Sequence, residues 1–186
     1  MKFWNLRLLG TMAAGVVLCS LFFTAPASAD APAVSTHIYE WVQSTARQNY
    51  YFNKRQMCYD IVDGKADTNV LIVPTLKTYD DVQIEDVVAK RRWKMEPLDG
   101  YDNLVGAAEY LRIDRAAGTV TIEQHDDLDG TWSAIHTETE PTTIKLDDLS
   151  EKDVDGCFFR AILKYADQHA DKLLARTEAK IADGDE

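Results

Sequence analysis

Basic side chains are in short supply: 20 Lys and Arg stand against 31 Asp and Glu, a formal charge of -11. A surface of that sign repels DNA and anionic membranes at long range, which disfavours roles that rest on broad attraction to either. Cysteine is scarce at three residues, with no CxxC and no Cys/His cluster spaced for a structural zinc. The four histidines form no HExxH pair, and there is no GxSxG elbow. Internal repeats, low-complexity tracts and cofactor motifs are also missing, so no cofactor is expected. At 186 residues and 46% apolar content, the chain can bury one core but not two.

A long apolar run occurs at the N-terminus, where Lys2 and Arg7 precede a stretch from Leu8 to Phe23 that ends in Ala27, Ser28 and Ala29. This is the pattern of a secretory signal peptide, and the run is interrupted by Gly10 and Thr11, which disfavours a permanent span. Cleavage after Ala29 divides the chain into a leader over residues 1–29, a single domain over 30–168, and a charged helix end and tail over 169–186. Lipidation at Cys19 is the alternative, but Leu18 stands where a lipobox wants a small residue. Processing removes two cations and no acid, taking the charge to -13. The location implied is the periplasm, the cell surface or the medium, with no integral membrane span after processing.

Export leaves the pair Cys58 and Cys157 in a compartment where disulfides persist, so a Cys58 to Cys157 bridge is expected. The alternative is two separate small buried thiols.

Ile38, Trp41 and Val42 predict a short strand, and Tyr50, Tyr51 and Phe52 a second. Cys58 to Val62, closed by Asp63 and Gly64, reads as its hairpin partner or continuation. Val70 to Thr78 is rich in β-branched residues, although Pro74 predicts an edge or a bulge there. Residues 80–94 fit helical and alternating patterns alike. Asp80 as an N-cap, with Gln83 three residues on, favours a helix. Residues 101–109 read as a loop. The segments 110–113, 119–123 and 132–139, with turns at Ala117–Gly118 and Asp127–Gly130, predict an antiparallel meander. From Ser150, the spacing of Val154, Phe158, Ala161, Ile162 and Tyr165 marks one face of an amphipathic helix, which frays or projects after about residue 168. The fold class is therefore α+β: a small antiparallel sheet packed on a C-terminal helix.

The Trp41 patch leading to Tyr50–Phe52, the run from Val70 to Lys77, Tyr110 to Asp114, and the strand, turn and strand from Val120 to Ile135 before a late helix together resemble the surface-adhesin protein E-like family of bacterial envelope proteins. The resemblance is one of element pattern over most of the mature chain. It implies the same α+β architecture and a surface role that, for some members, is binding of host matrix proteins. It transfers no binding residue, and the chain departs from lipid-anchored members in lacking a lipobox.

Within the acidic background, four basic residues, Lys90, Arg91, Arg92 and Lys94, surround Trp93. They form a candidate patch for an anionic ligand, with Trp93 stacking on it. The alternative is a solvated stripe pairing with nearby carboxylates, in which case replacing Arg91 and Arg92 leaves stability unchanged. A turn over residues 126–131 would set His125 opposite Trp132 and His136 opposite Thr121, roughly 13 Å apart and beyond one metal. The segment His125 to Gly130 fails as a calcium loop, with His125 in place of the first Asp and His136 in place of the bidentate Glu. An Asp/Gly turn explains it.

These readings favour a non-catalytic envelope protein of binding or adhesin type, whose partner is a host matrix or bacterial envelope protein and not a nucleic acid. The alternatives are a structural or accessory envelope protein, and an exported enzyme with a dispersed active site. The leader reading predicts that the exported protein begins at Asp30. Intact-mass measurement should show loss of the first 29 residues, and a diacylglyceryl-modified Cys19 would contradict it.

Overall fold

The computed structural model describes residues 32–184. The predicted leader, its cleavage site and Cys19 lie outside the described residues. Eight strands form one antiparallel sheet: β1 Tyr39–Ser44, β2 Gln48–Asn53, β3 Cys58–Val62, β4 Lys65–Tyr79, β5 Leu104–Asp114, β6 Thr119–Asp129, β7 Ala134–Glu138 and β8 Thr142–Lys145. The main path runs β1-β2-β4-β5-β6-β7, with β3 also on β4 and β8 also on β6. Three helices join it: α1 Asp81–Trp93, α2 Val154–Gln168 and α3 Ala170–Asp183. The α+β class read from the sequence is the one observed. Among the described residues no helix is long and apolar enough to cross a membrane.

The 15-residue β4 organises the sheet. Its first half pairs with β3 and its second half with β2, while β5 runs along its other side. β3 is thus the hairpin partner of β4 and not of β2, and Asp63 and Gly64 close that hairpin with φ of 51° and 69°, the backbone of a primed turn. Pro74 lies in an interior strand, contrary to the edge expected. It is tolerated because it falls between Thr75, where β2 ends, and Ile72, where β3 begins, so that side of the ladder demands no donor.

One face of the sheet carries the core, in which Leu71, Val73, Leu111, Ile113 and Val120 meet Phe158, Phe159 and Ile162 of α2 and Leu173 of α3. Tyr50 packs on Phe158 at 5.5 Å between ring centroids, and Phe52 meets Tyr165 edge-on at 4.9 Å. Each large side chain fully buried in this way contributes about 1.5–3 kcal/mol. The segment after residue 168 does not fray: the chain breaks at His169 and restarts as α3, which buries Leu173 and Thr177. Thr177 Oγ1 accepts from the Tyr59 N–H at 3.0 Å and donates to the Leu173 carbonyl at 2.9 Å, and the Arg176 guanidinium donates to the Met57 carbonyl.

This placement also removes the predicted bridge, because Cys58 and Cys157 are both free. The start of β3 is covered by α3, whereas Cys157 sits in the first turn of α2, its Sγ donating to the Glu151 carbonyl at 3.0 Å. Strand alternation compounds the separation. Tyr59 and its partner Leu71 face the helix-covered core, so Cys58, paired with Ile72, takes the other side.

Two other boundaries moved. Of the stretch 101–109, read as a loop, residues 104–109 belong to β5 and Tyr101–Asn103 form a 3-10 turn. β6 runs on to Asp129, so the turn into β7 comes later than predicted.

Gly106 of β5 crosses β4 so closely that a Cβ there would run into the Lys77 carbonyl oxygen. Gly106→Ala should therefore cost about 1–3 kcal/mol or more by overpacking, read as a lower denaturation midpoint. An unchanged midpoint would mean that the two backbones are not held at this distance.

Candidate functional site

The core face has a second, polar half. Continuing the alternation of Leu71 and Val73 along β4 brings Lys77 and Tyr79 to the same side, and that of Ile113 and Leu111 along β5 brings Glu109. On β6 a bulge opposite Tyr110 and Leu111 inserts one residue, Glu123, and shifts the phase. His125 and Asp127 thereby join Val120 and Ile122 on one face, where an unbroken strand would have turned them away.

Glu109, which is buried, has its Oε1 2.8 Å from Lys77 Nζ and 3.3 Å from His125 Nδ1. The other ring nitrogen of His125 lies 3.3 Å from Asp127 Oδ1. Asp127 Oδ2 accepts from the Tyr101 hydroxyl at 2.5 Å and has Arg91 Nη1 at 4.0 Å. Arg91 reaches Glu96 Oε2 at 3.1 Å, donates from Nε to the Pro97 carbonyl at 3.2 Å, and lies 4.4 Å over the Tyr101 ring. Among the described residues no buried side-chain polar atom lacks a partner.

The protonation states follow from this geometry. The hydrogen bonds to Asp127 and Glu109 outweigh burial and push His125 up to about 9, so the imidazole is a cation at neutral pH with both nitrogens donating. Burial by itself would raise Glu109, but the His125 bond and the Lys77 charge overcome it and bring the carboxyl down to about 2. Asp127 is lowered in the same way, burial being outweighed by its bonds from His125 and Tyr101. Burial holds the Tyr79 and Tyr101 phenols well above their ordinary range, so both stay neutral.

A histidine locked as a cation between two carboxylates has no lone pair with which to take a proton. Three cations, His125, Lys77 and Arg91, instead balance three anions, Glu109, Asp127 and Glu96. A cleft of about 570 Å³ opens over this network, lined by Tyr79, His125 and Asp127 from the sheet, Lys90 and Arg91 from α1 and Lys94 from its C-cap, and His136 and Glu138 from β7.

The two histidines predicted to be far apart therefore flank one cleft. His136 is opposite Asp127 and His125 opposite Glu138, because the turn falls at residues 130–133. No group of three or more metal-ligating residues is present among the described residues. In the segment weighed as a calcium loop, Asp129 Oδ1 is occupied by the Thr131 and Ser133 backbone N–H groups and the Thr131 hydroxyl, an Asx turn.

The structure divides the predicted basic patch. Arg91 is the one buried side chain of α1, so the solvated-stripe reading fails at this residue. Lys90, Arg92, Trp93 and Lys94 are exposed. Lys94 lies 3.7 Å from Glu96, and Lys90 and Arg92 have no ion-pair partner among the described residues. Arg91 thus roots the patch, and its neighbours present it. Glu109, Lys77, Asp127 and Tyr101 were missed from the sequence, where the available signal was a charge in the buried phase of an apolar strand, as in Ala107, Glu109, Leu111.

Glu109→Ala strips Lys77 of its carboxylate and leaves His125 with Asp127 alone, and should cost about 3–5 kcal/mol. The pH dependence has two arms. His125, raised from 6.5 to about 9, contributes stability that is full below 6.5 and is lost as pH rises through 9. Glu109, lowered from 4.5 to about 2, contributes stability that is full above 4.5 and is lost as pH falls through 2. Thermal melts of the wild type should show both arms, and in Glu109→Gln the acid arm should flatten. An unaltered profile would show that the cluster does not couple to folding. The chain matches no family model, no curated protein and no solved structure.

Proposed function

We propose that this is a non-catalytic binding protein of the bacterial cell envelope that meets an anionic partner through the basic end of α1. The observation that carries the reading is the contrast between Arg91, fixed in the charge network, and its exposed neighbours Lys90, Arg92 and Lys94 around Trp93. The network spends its own charges internally and holds the helix end rigid, while the flanking cations are left facing solvent. Cations grouped beside an aromatic ring on an anchored helix end suit recognition of an anion, since little backbone order remains to be imposed on binding. The leader-like N-terminus and the resemblance to adhesin-like envelope proteins support the location.

Purified protein should be retained on immobilised heparin and on a cell-envelope fraction in a salt-sensitive way. The triple variant Lys90→Gln, Arg92→Gln, Lys94→Gln should lose most of that retention with its melting temperature within a few degrees of wild type, because exposed charges contribute about 0–1 kcal/mol each. Retention of the triple variant equal to wild type would refute the reading. Binding to matrix proteins but not to envelope fractions would assign the partner to the host.

A further inference from the structure

Beyond Trp93, the chain leaves α1 in an unusual way. The Glu96 N–H bonds to the Arg91 carbonyl at 3.0 Å and the Met95 N–H to the Arg92 carbonyl at 3.1 Å, the paired bonds of a Schellman stop. The residue at the left-handed position of that stop is ordinarily glycine, yet here it is Met95, with φ 60°. The apolar contact that usually accompanies the motif is replaced by the Arg91 to Glu96 ion pair at 3.1 Å. A strained, ion-clamped turn thus holds a long apolar side chain out in water: Met95 is 91% exposed and Trp93 84%.

Building on the anionic-partner reading, we propose that this turn is a membrane-contact tip, with Trp93 and Met95 entering the interface of an anionic lipid bilayer while Lys90, Arg92 and Lys94 meet the headgroups. Three features favour a lipid surface over a folded partner. The tip ends a helix and stands proud, whereas a protein hot spot usually fills a pocket. Tryptophan beside an unbranched apolar side chain, ringed by cations, matches the chemistry of the headgroup boundary. The charge signs are also complementary, since Lys90 and Arg92 are free to face lipid phosphate. The overall charge of -11 does not oppose this at contact, because at physiological salt the field of the rest of the surface decays within about 8 Å.

The test uses one purified chain and its variants, so that any contribution from residues outside the tip is common to all. Wild-type protein should co-sediment with vesicles of equal phosphatidylglycerol and phosphatidylcholine, and not with phosphatidylcholine alone. Trp93→Ala and Met95→Gly should each weaken that partition by about tenfold. Met95→Gly should melt no lower than wild type, because glycine prefers the left-handed position, and this separates lost contact from lost fold. Brominated lipid should quench wild-type fluorescence and leave Trp93→Phe nearly unquenched. No binding to anionic vesicles alongside intact heparin retention would overturn the tip proposal and leave the anionic-partner reading standing; loss of both would end both. Vesicle binding indifferent to Trp93 and Met95 would likewise overturn it.

Discussion

Asp127 is the acceptor on which three elements converge. It takes the Tyr101 hydroxyl from the turn after α1 and the His125 imidazolium from its own strand, and it lies within Coulombic reach of Arg91 from the helix. Arg91 is the only side chain of α1 that is fully buried, while Ile84, Val87 and Val88 are half-buried, so an ionic anchor at the helix end supplements partial apolar contact along the rest. Buried ion clusters of this kind add little net stability, since desolvation offsets most of the attraction, but removing one member strands the others. What the arrangement provides is position: one orientation of the helix end satisfies every partner at once.

The same sheet face therefore works in two modes. Beneath α2 and α3 it is an apolar core of Leu, Ile, Val and Phe, tolerant of salt and pH. Beneath α1 it is a balanced set of charges, sensitive to both. The bulge at Tyr110 and Leu111 joins the two modes, because it lets a strand that began with Val120 and Ile122 inward deliver His125 and Asp127 inward as well.

The sequence made the α+β class, most strands and the Asp80 cap legible, and the cap is observed with the Gln83 N–H 2.8 Å from Asp80 Oδ1. These are local signals: alternation, spacing, and a residue that bonds three positions away. The cysteine pairing failed because parity says nothing of which face a strand residue takes. The β6 turn was misplaced because Asp126 and Asp127 look like turn residues, yet in the fold they are buried strand partners. Likewise Arg91 looked like one cation in a row, and only the tertiary fold distinguishes it from Arg92. The charge network escaped detection because its members, at 77, 91, 101, 109, 125 and 127, are joined by register and not by sequence proximity.

The outer edge of β3 has a further consequence for how the chain is made. The Tyr59 N–H and the Met57 carbonyl, left over once β3 has paired with β4, are satisfied by Thr177 and Arg176 of α3. Tyr59 and Thr177 are 118 residues apart, so during synthesis this edge stays open until nearly the whole sheet has already emerged. Over that interval the nascent chain presents an open strand edge, the form most prone to join a neighbouring molecule. Delivery of the last helix closes that window, which makes α3 a guard against mispairing as well as a layer of the core.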